Sequence, residues 1–280
     1  MNAFIEIRKY LRKCRLRLRI RRDRASLEKT KEGCGFLYIA FGPSFSAEAL
    51  LSVRSLRRFQ KERVCVFTDQ PEIFEGNDLD IETKTITPRH LRAKVDYIDQ
   101  SPFEKTIYLD SDTVIVQNVS DLFTLLERFD VTATIDAARK RENIAKKISR
   151  YKSIPYAFPE VNGGVLGFTS SPASLRMLEF WQKYFYDNFN ETNGWDQPSL
   201  RIALWESQVR LATLPAEYNV RSVELIDKTA KNRDLFGPDH LQPRIFHMHH
   251  SSEVHDGKMH VEDLAELEEI LQQKAIKIEY

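Results

Sequence analysis

Long hydrophobic segments are missing from this sequence of 280 residues. A helix needs about eighteen consecutive apolar residues to cross a bilayer, and the N-terminus also lacks the apolar segment of a secretory signal. We therefore expect a folded chain that stays in the cytoplasm. Its 42% content of hydrophobic residues is sufficient for a sizeable core.

Cysteine and glycine are also scarce, with three and ten residues respectively. Cys14, Cys34 and Cys65 are too far apart for the pattern of a disulfide framework or a zinc cluster, so we expect reduced thiols. The sequence has no glycine-rich phosphate loop of the dinucleotide-binding or P-loop type. These features argue against a disulfide-rich, a zinc-finger and a P-loop protein.

Basic residues are concentrated at the N-terminus. Residues 1–24 contain ten Lys or Arg and two acidic residues, whereas the rest of the chain has 32 basic and 39 acidic residues. A nucleic-acid-binding domain would be expected to carry the positive charge itself, so we predict no nucleic-acid partner. We predict that residues 1–32 form a basic segment outside the folded domain.

The basic segment has the spacing of an amphipathic helix. Its apolar residues at intervals of three and four are Phe4, Ile7, Leu11, Cys14 and Leu18. One interpretation is a peripheral anchor, in which residues 4–22 lie on the inner face of a membrane with the cations near anionic headgroups. The alternatives are a frayed basic arm and a helix that packs on another subunit.

From Phe36 onward, predicted strands alternate with predicted helices. FLYIAFG is predicted to be a strand that ends at Gly42, residues 46–59 an amphipathic helix, and VCVFTD a second strand. Pro88 is expected to open a short helix that runs through Tyr97. This alternation predicts an α/β fold with a mostly parallel, Rossmann-like central sheet flanked by helices.

The folded domain is predicted to span residues 33–260. The stretch that follows is rich in Glu, Leu and Lys, and we expect a closing helix within residues 261–280.

The segment KTIYLDSD is the most informative of the predicted strands. Its apolar part is followed directly by Asp110, Ser111 and Asp112, which puts two carboxylates at the carboxyl edge of a sheet, where α/β proteins bind ligands. Mg²⁺ and Mn²⁺ take carboxylate oxygens and leave positions for substrate phosphates.

The alternative for Asp110 and Asp112 is a capped turn after a strand. The same spacing occurs in Asp78-Leu79-Asp80, which we expect to be a solvated turn.

Five of the seven histidines lie within fourteen residues of one another. They are His247, His249, His250, His255 and His260. On a strand, His247 and His249 would share a face, so either could complete a metal site with the aspartates. Imidazole is tolerated by Mn²⁺ and disfavoured by Mg²⁺, which favours manganese. The alternative is a polar surface loop, which we favour for His255 and His260.

Six segments of the chain occur in an order typical of one enzyme family. They are FLYIAFGPSFSAEALLSVRSL, LRAKVDYIDQSPFEKTIYLDSD, VNGGVLGF, WDQPSL, EYNV and IFHMHH. Through them most of residues 35–260 resemble the GT-A-fold glycosyltransferases, and in particular glycosyltransferase family 8, which includes glycogenin and bacterial galactosyltransferases. Any one segment alone is weak, but all six in this order are improbable by chance.

The resemblance implies roles for particular residues. It makes Asp110, Asp112 and His247 the metal ligands, with His249 as the second choice. It assigns contacts with the nucleotide-sugar donor to Ala40, Phe41, Phe45, Lys94, Ser111 and Lys258. It puts the catalytic residues Asn162, Asp196 and Gln197 at the transferred sugar, and Tyr218 and Asn219 beside the acceptor.

These assignments have plainer alternatives. Phe41 and Phe45 would be ordinary core residues, and the glycines of VNGGVLGF would form a bulge. Lys94 would be a solvated helix lysine and Asp196 a helix N-cap. At Lys258 the chain departs from the family, which often has a glycine and Lys-Pro-Trp after its histidine, whereas HHSSEVHDGKMH stands here.

The implied activity is transfer of a hexose from a nucleotide sugar, expected to be a UDP-sugar, to a hydroxyl acceptor with retention at the anomeric centre. The expected cofactor is Mn²⁺, or else Mg²⁺, and the acceptor a glycan or a lipid-linked saccharide. Either Asp196 and Gln197 orient a front-face attack, or Asp196 is a nucleophile that forms a covalent glycosyl-enzyme.

Other classes remain as alternatives. A sugar-1-phosphate nucleotidyltransferase would need a glycine-rich, arginine-containing loop after the first strand, which FGPSFSAEA does not supply. A non-catalytic sugar-nucleotide-binding protein would not need the complete set of metal-site residues. A metal-dependent hydrolase would need an evident activator of water.

Overall fold

The computed structural model describes residues 31–88, 90–136, 142–221 and 242–247. Its strands are β1 (Cys34–Ile39), β2 (Arg63–Thr68), β3 (Ile81–Thr85), β4 (Lys105–Leu109), β5 (Thr113–Ile115), β6 (Val131–Ile135), β7 (Val161–Thr169), β8 (Leu211–Leu214) and β9 (Ile245–His247). Seven of them form one sheet in the order β3-β2-β1-β4-β7-β6-β8, and β5 pairs with β9 in a small second sheet.

The central sheet is mostly parallel, as predicted. β3, β2, β1 and β4 are parallel neighbours, and β6 is parallel to β8. Only β7 runs against its neighbours in this sheet, because it pairs antiparallel with both β4 and β6. As a result, the beginning of β7 lies at the same sheet edge as the end of β4.

Helices flank the sheet. The described α-helices are α1 (Gly42–Arg57), α2 (Lys94–Tyr97), α3 (Asp121–Leu125), α4 (Glu142–Ala145), α5 (Ser149–Ser153), α6 (Pro172–Asp187) and α7 (Gln197–Ser207). Within the described ranges, none is both long enough and apolar enough to cross a membrane. The α6 helix starts where the Ser171 hydroxyl accepts a hydrogen bond from the Ser174 amide, with Pro172 in the first turn.

Side chains of the central strands pack on both faces of the sheet. Along β1, Phe36 and Tyr38 belong to one apolar cluster, and Leu37 belongs to the other. This alternation follows from the two-residue period of a strand. The sheet therefore supplies the core of the domain, and its carboxyl edge is left for polar side chains.

Several predicted boundaries are wrong. The first strand ends at Ile39 rather than at Gly42, and the helix α1 spans Gly42–Arg57 rather than residues 46–59. Gly42 has φ +68°, a conformation that favours glycine, and its amide donates to the Asp69 carboxylate at 2.7 Å. The short helix begins at Lys94 rather than at Pro88, because the preceding turn closes with bonds over three residues, such as Val95 N–H to the Arg92 carbonyl.

Several predictions lie outside the described residues. They concern the membrane segment at residues 4–22, the closing helix within 261–280, Cys14, His249, His255, Lys258 and His260. Within the described part, neither Cys34 nor Cys65 is in a disulfide bond.

Candidate active site

A cavity of about 250 Å³ opens at the carboxyl edge of the sheet. Its walls come from the ends of β1 and β4, the start of β7, the turn before α2, the start of α7 and the end of β9. The lining residues are Ile39, Phe41, Phe45, Leu91, Arg92, Ala93, Lys94, Tyr108, Asp110, Ser111, Asp112, Asn162, Gly163, Gly164, Trp195, Asp196, Gln197, Arg221 and His247. This edge is where α/β sheets bind ligands.

Asp110, Asp112 and His247 meet in this cavity. One ligand atom from each lies within 4.8 Å of the others. The His247 Nε2 atom is 3.2 Å from Asp112 Oδ1 and 3.7 Å from Asp110 Oδ2. Two carboxylate oxygens and one imidazole nitrogen at these separations form a donor set that fits Mn²⁺.

Strand pairing explains why His247 arrives beside the aspartates. β5 follows the Asp-Ser-Asp segment, and its Thr113 is paired with His247 in the antiparallel register with β9. Gly164 gives the ring room, since a Cβ atom there would lie 2.2 Å from His247 Cε1. On the other side of the ring, His247 Nδ1 is 3.0 Å from Asn219 Oδ1.

Lys94 is buried rather than solvated, with 8% of its surface exposed. Its ammonium group donates to both Asp110 oxygens, at 2.9 and 3.1 Å, and to the Gly163 carbonyl at 3.2 Å. The same nitrogen is 3.7 Å from Asp196 Oδ2. Lys94 therefore connects Asp110 with the carboxylate of Asp196.

Asp196 does not act as a side-chain cap of α7, although it occupies the N-cap position. Its carboxylate instead lies 3.4 Å from the Arg92 Nε atom, and Arg92 stacks over the Trp195 ring at 4.9 Å. The backbone carbonyl of Asp196 accepts from the Trp181 indole at 3.0 Å. These contacts hold the Asp196 carboxylate in the cavity.

Asn162 and Gln197 also line the cavity. The Asn162 Oδ1 atom accepts from the Gly164 amide at 2.8 Å, within the first residues of β7. The Gln197 amide nitrogen donates to Asp136 Oδ2 at 2.6 Å. Both predicted side chains are therefore brought to the same site as the aspartates.

The remaining described residues predicted to contact the donor divide into two groups. Phe41 and Phe45 line the cavity with their ring centroids 5.4 Å apart, so they are not simply core. Ser111 lines it too and donates to Glu48 at 3.1 Å. Ala40 is buried at 1% exposure and is not among the lining residues.

The residues predicted beside the acceptor have other contacts. The Tyr218 hydroxyl donates to Asp121, and Asn219 contacts the His247 ring. Neither residue is part of the cavity lining.

Charges in the site act on one another. Burial alone raises the pKa of Asp110, but the Lys94 ammonium and His247 lower it, and the net shift is below its ordinary value. The Tyr108 hydroxyl donates to Asp110 Oδ1 at 2.6 Å, and burial together with that carboxylate raises the Tyr108 pKa well above its ordinary value. Asp110 is therefore ionised, and Tyr108 remains a neutral donor.

Sequence reasoning missed several residues of this site. Arg92 lies two residues before the predicted site residue Lys94, and Trp195 lies directly before the predicted site residue Asp196. This closeness in sequence was a usable signal. Asn219 was predicted beside the acceptor, whereas it contacts the ring of His247. Asp136 directly follows β6 at the ligand-binding edge, and an acid after an apolar strand was the signal that could have identified it.

Solved glycosyltransferase structures share this architecture. The galactosyltransferase LgtC, solved with donor and acceptor sugar analogues, is 12% identical over 77% of this chain and 87% of its own, with a TM-score of 0.54. Mouse xyloside xylosyltransferase 1 is 12% identical over 78% of this chain and 98% of its own, with a TM-score of 0.52. The glycosyltransferase GlyE of Streptococcus pneumoniae TIGR4 is 15% identical over 90% of this chain and 65% of its own, with a TM-score of 0.50.

Those similarities define the class as the GT-A fold, which the sequence predicted. A search among curated proteins gives no significant match. The model of the nucleotide-diphospho-sugar transferase family matches residues 105–261, more than half of the chain. The chain therefore belongs to this family of nucleotide-diphospho-sugar transferases, and it is a glycosyltransferase.

Proposed function

We propose that the protein transfers a hexose from a UDP-sugar to a hydroxyl acceptor, with Mn²⁺ as its cofactor and with retention at the anomeric centre. The observation that carries the proposal is the meeting of Asp110, Asp112 and His247 in one cavity with Lys94, Asp196 and Gln197. Retention is proposed from the resemblance to glycosyltransferase family 8. The family membership supports the nucleotide-sugar donor.

The charge of the cavity supports a need for metal. Its lining includes Arg92 and Lys94 against Asp110, Asp112 and Asp196, which leaves one net negative charge. Arg221 adds nothing to this balance, since it pairs with Asp136 at 3.0 Å. A donor diphosphate is itself an anion and would be repelled by such a cavity. An added divalent cation reverses the sign.

Asp110, Asp112 and His247 are the residues that would hold the cation. When bound, it would neutralise the negative charge that develops on the leaving diphosphate. His247 can present Nε2 to it because Asn219 Oδ1 is placed to accept a hydrogen bond from Nδ1–H, the support that metal-binding histidines commonly have. Manganese is proposed over magnesium because the set includes imidazole.

The remaining side chains would bind and orient the donor. Phe41 and Phe45 offer apolar ring faces to a flat nucleobase at one end of the cavity. Lys94 carries a positive charge between the Asp110 and Asp196 carboxylates, where it can attract a phosphate oxygen. Asn162 and the backbone beside Gly163 supply polar groups for sugar hydroxyls.

For the transfer step we favour front-face attack over a covalent intermediate on Asp196. The Asp196 carboxylate is within 3.7 Å of Lys94 and within 3.4 Å of Arg92, and such ion pairing weakens a nucleophile. In this mechanism Asp196 and Gln197 orient the sugar and stabilise its developing positive charge, and the leaving phosphate oxygen takes the acceptor's proton.

The direct test is a panel of UDP-sugars, including UDP-glucose and UDP-galactose, with UDP release as the readout. We expect release from one donor in the presence of Mn²⁺ and none after chelation. A thermal-shift titration separates the alternatives, because UDP with Mn²⁺ should stabilise the protein by about 2.7 kcal/mol at one hundred times its Kd. Stabilisation by a nucleoside triphosphate in preference to UDP would instead indicate a nucleotidyltransferase.

Two further parts of the proposal concern residues outside the described ranges. Lys258 is proposed to contact the diphosphate, and residues 4–22 are proposed to bind an anionic membrane surface from the cytoplasmic side. Such a surface would suit a lipid-linked acceptor. Binding of residues 4–22 is tested by co-sedimentation with vesicles that contain anionic lipid, and equal sedimentation of a chain without these residues would disprove it.

A further inference from the structure

Glu160 is a buried acid directly behind the cavity, and it is absent from the cavity lining. We propose that Glu160 is a positioning residue that holds the Gln197 side-chain amide, together with Asp136, so that the Gln197 carbonyl oxygen is turned towards the transferred sugar. The inference rests on the proposed function for the identity of the reaction, and on the contacts below for the role of Glu160.

Both hydrogens of the Gln197 amide are used by carboxylates. The Nε2 atom donates to Asp136 Oδ2 at 2.6 Å and to Glu160 Oε1 at 3.1 Å. An ionised carboxylate only accepts hydrogen bonds, so the opposite amide orientation would set a carbonyl oxygen against two acids. The two acids therefore fix which end of the amide is nitrogen, and Oε1 is the group left to face the cavity.

The two acids can lie side by side because each has a separate donor. Arg221 pairs with Asp136 Oδ2 at 3.0 Å, and the Tyr151 hydroxyl donates to Glu160 Oε2 at 2.5 Å. Glu160 is fully buried, and burial raises its pKa, whereas the hydrogen bonds from Tyr151 and Gln197 lower it by favouring the ionised carboxylate. A buried carboxylate is costly where packing alone is required, since an apolar side chain would fill the space.

The backbone places both acids beside the first residue of α7. Asp136 follows β6 and Glu160 precedes β7, and the Asp136 amide donates to the Glu160 carbonyl at 2.8 Å. Gln197 is the first residue of α7, so its backbone position is set by the helix. What the acids add is the orientation of the side chain.

Orientation matters because the carbonyl oxygen of an amide is the end that stabilises positive charge. A hydrogen-bond acceptor that is already in place lowers the activation barrier because it need not move during the reaction. Displacing such a group by a small distance lowers the rate. Glu160 does not line the cavity and acts through Gln197, so it is a positioning residue rather than a catalytic one.

The first experiment compares Glu160→Ala, Glu160→Gln and Gln197→Ala by steady-state kinetics with the UDP-sugar that the wild type uses. Glu160→Ala should lower kcat roughly 10- to 100-fold with little change in the donor KM, since a displaced group costs rate more than binding. Glu160→Gln should recover most of kcat, because its carbonyl can still accept from Gln197. A wild-type kcat in Glu160→Ala would overturn the proposal.

The double variant tells positioning from a general structural effect. If Glu160 acts through Gln197, adding Glu160→Ala to Gln197→Ala should cause no further loss of kcat. Independent, additive losses would overturn the proposal.

A matched control exists on the same helix. Tyr184 donates to Glu206 at the other end of α7, as Tyr151 donates to Glu160. Glu160 also accepts from Gln197, whereas the other donor to Glu206 is Arg150. Tyr151→Phe should therefore lower kcat and Tyr184→Phe should not. Equal losses in both would assign the effect to helix packing and contradict the proposal.

A second measurement needs no activity, so that it separates this proposal from the function itself. The side-chain amide signals of Gln197, assigned by their loss in Gln197→Ala, should be shifted from the random-coil position and protected from exchange in wild-type protein. They should move towards that position in Glu160→Ala, where Asp136 still accepts one of the hydrogens, and stay unchanged in Glu206→Gln. Signals that stay in place in Glu160→Ala would overturn the role of Glu160 even if sugar transfer were established. A movement found in Glu160→Ala and absent from Glu206→Gln would support that role even if the donor were not a UDP-sugar.

Discussion

The chain contains the Asp-x-Asp spacing twice, and the two copies have different surroundings. Asp78 and Asp80 are exposed and lie in the bend before β3, where the Leu79 amide donates to the Asn77 side chain at 3.0 Å. Asp80 has φ +48°, a conformation that aspartate tolerates better than most residues. These two aspartates serve a turn, as the sequence predicted.

The second copy follows a buried strand instead of a turn. The side chains of Asp110 and Asp112 are 22% and 13% exposed, and His247 and Lys94 lie against them. The spacing is the same in both copies, so spacing alone does not make a metal site. What differs is the sheet edge, which lets residues distant in sequence add an imidazole and an ammonium group.

Removing one acid from each copy should give the largest contrast. Asp112→Ala should lower the rate of UDP release by roughly 10²-fold or more, since even the outer partners of metal ligands are worth 10- to 100-fold. Asp78→Ala should leave the rate at the wild-type level. Initial rates at saturating Mn²⁺ measure both. Similar losses in the two variants would show that the second copy has no special role.

The two glycines at the start of β7 allow a finer contrast within the site. Gly164→Ala should displace His247, because the new Cβ atom would lie 2.2 Å from its ring, and we expect a loss of rate of about 10²-fold. Gly163→Ala should reduce the rate only slightly, since the nearest atom to its new Cβ would be a methyl carbon of Leu200, 3.4 Å away. Rates and Mn²⁺ dependence test the pair, and an active Gly164→Ala variant would show that the His247 position is dispensable.

The support of His247 by Asn219 distinguishes a built site from a chance cluster. Asn219→Ala should weaken apparent Mn²⁺ affinity about 10- to 100-fold, because the imidazole loses the group that orients it. Asn219→Asp keeps an acceptor for Nδ1–H and should recover most of the affinity. Manganese titrations of the UDP-release rate measure the effect, and an unchanged Asn219→Ala variant would speak against this support.

The smallest expected effect is on stability in the absence of metal. Asp110→Asn should lower the free energy of unfolding by about 1.5–3 kcal/mol at pH 7, since it removes the charge that Lys94 binds. The folded-state pKa of Asp110 is lowered, so this stabilisation is present above the unfolded value near 4 and is lost as the pH falls through the folded value.

The pH series gives that stability test its control. Urea unfolding of wild type, Asp110→Asn and Asp78→Asn should show a gap only for Asp110→Asn, and the gap should shrink in acid. A gap that grows as the pH falls would contradict the assigned direction of the shift.

Strong local patterns made much of the fold predictable. The apolar run of β4 predicts a buried strand, and the two acids that follow it predict a ligand-binding site at the end of that strand. The α6 and α7 helices begin with Pro172 and Pro198 in their first turns, a common start signal. The sequence also predicts the strand that carries His247, so the metal-site hypothesis follows from the sequence alone.

Other features depend on contacts that leave little trace in the sequence. β5 has three residues, too few to show a period, yet its pairing with β9 brings His247 to Asp112. Asn219 and Glu160 act on a neighbouring side chain, and only the folded arrangement identifies that neighbour. The sequence places Gly42 at the end of a strand, whereas Gly42 is the first residue of α1 and has φ +68°.

Calorimetric titration of Mn²⁺ into the protein tests the central claim most directly. We predict one ion per chain for the wild type and for Asp78→Ala, with binding lost in Asp112→Ala, and UDP binding that requires the ion. Undiminished Mn²⁺ binding by Asp112→Ala, or full UDP affinity without any divalent cation, would contradict the account.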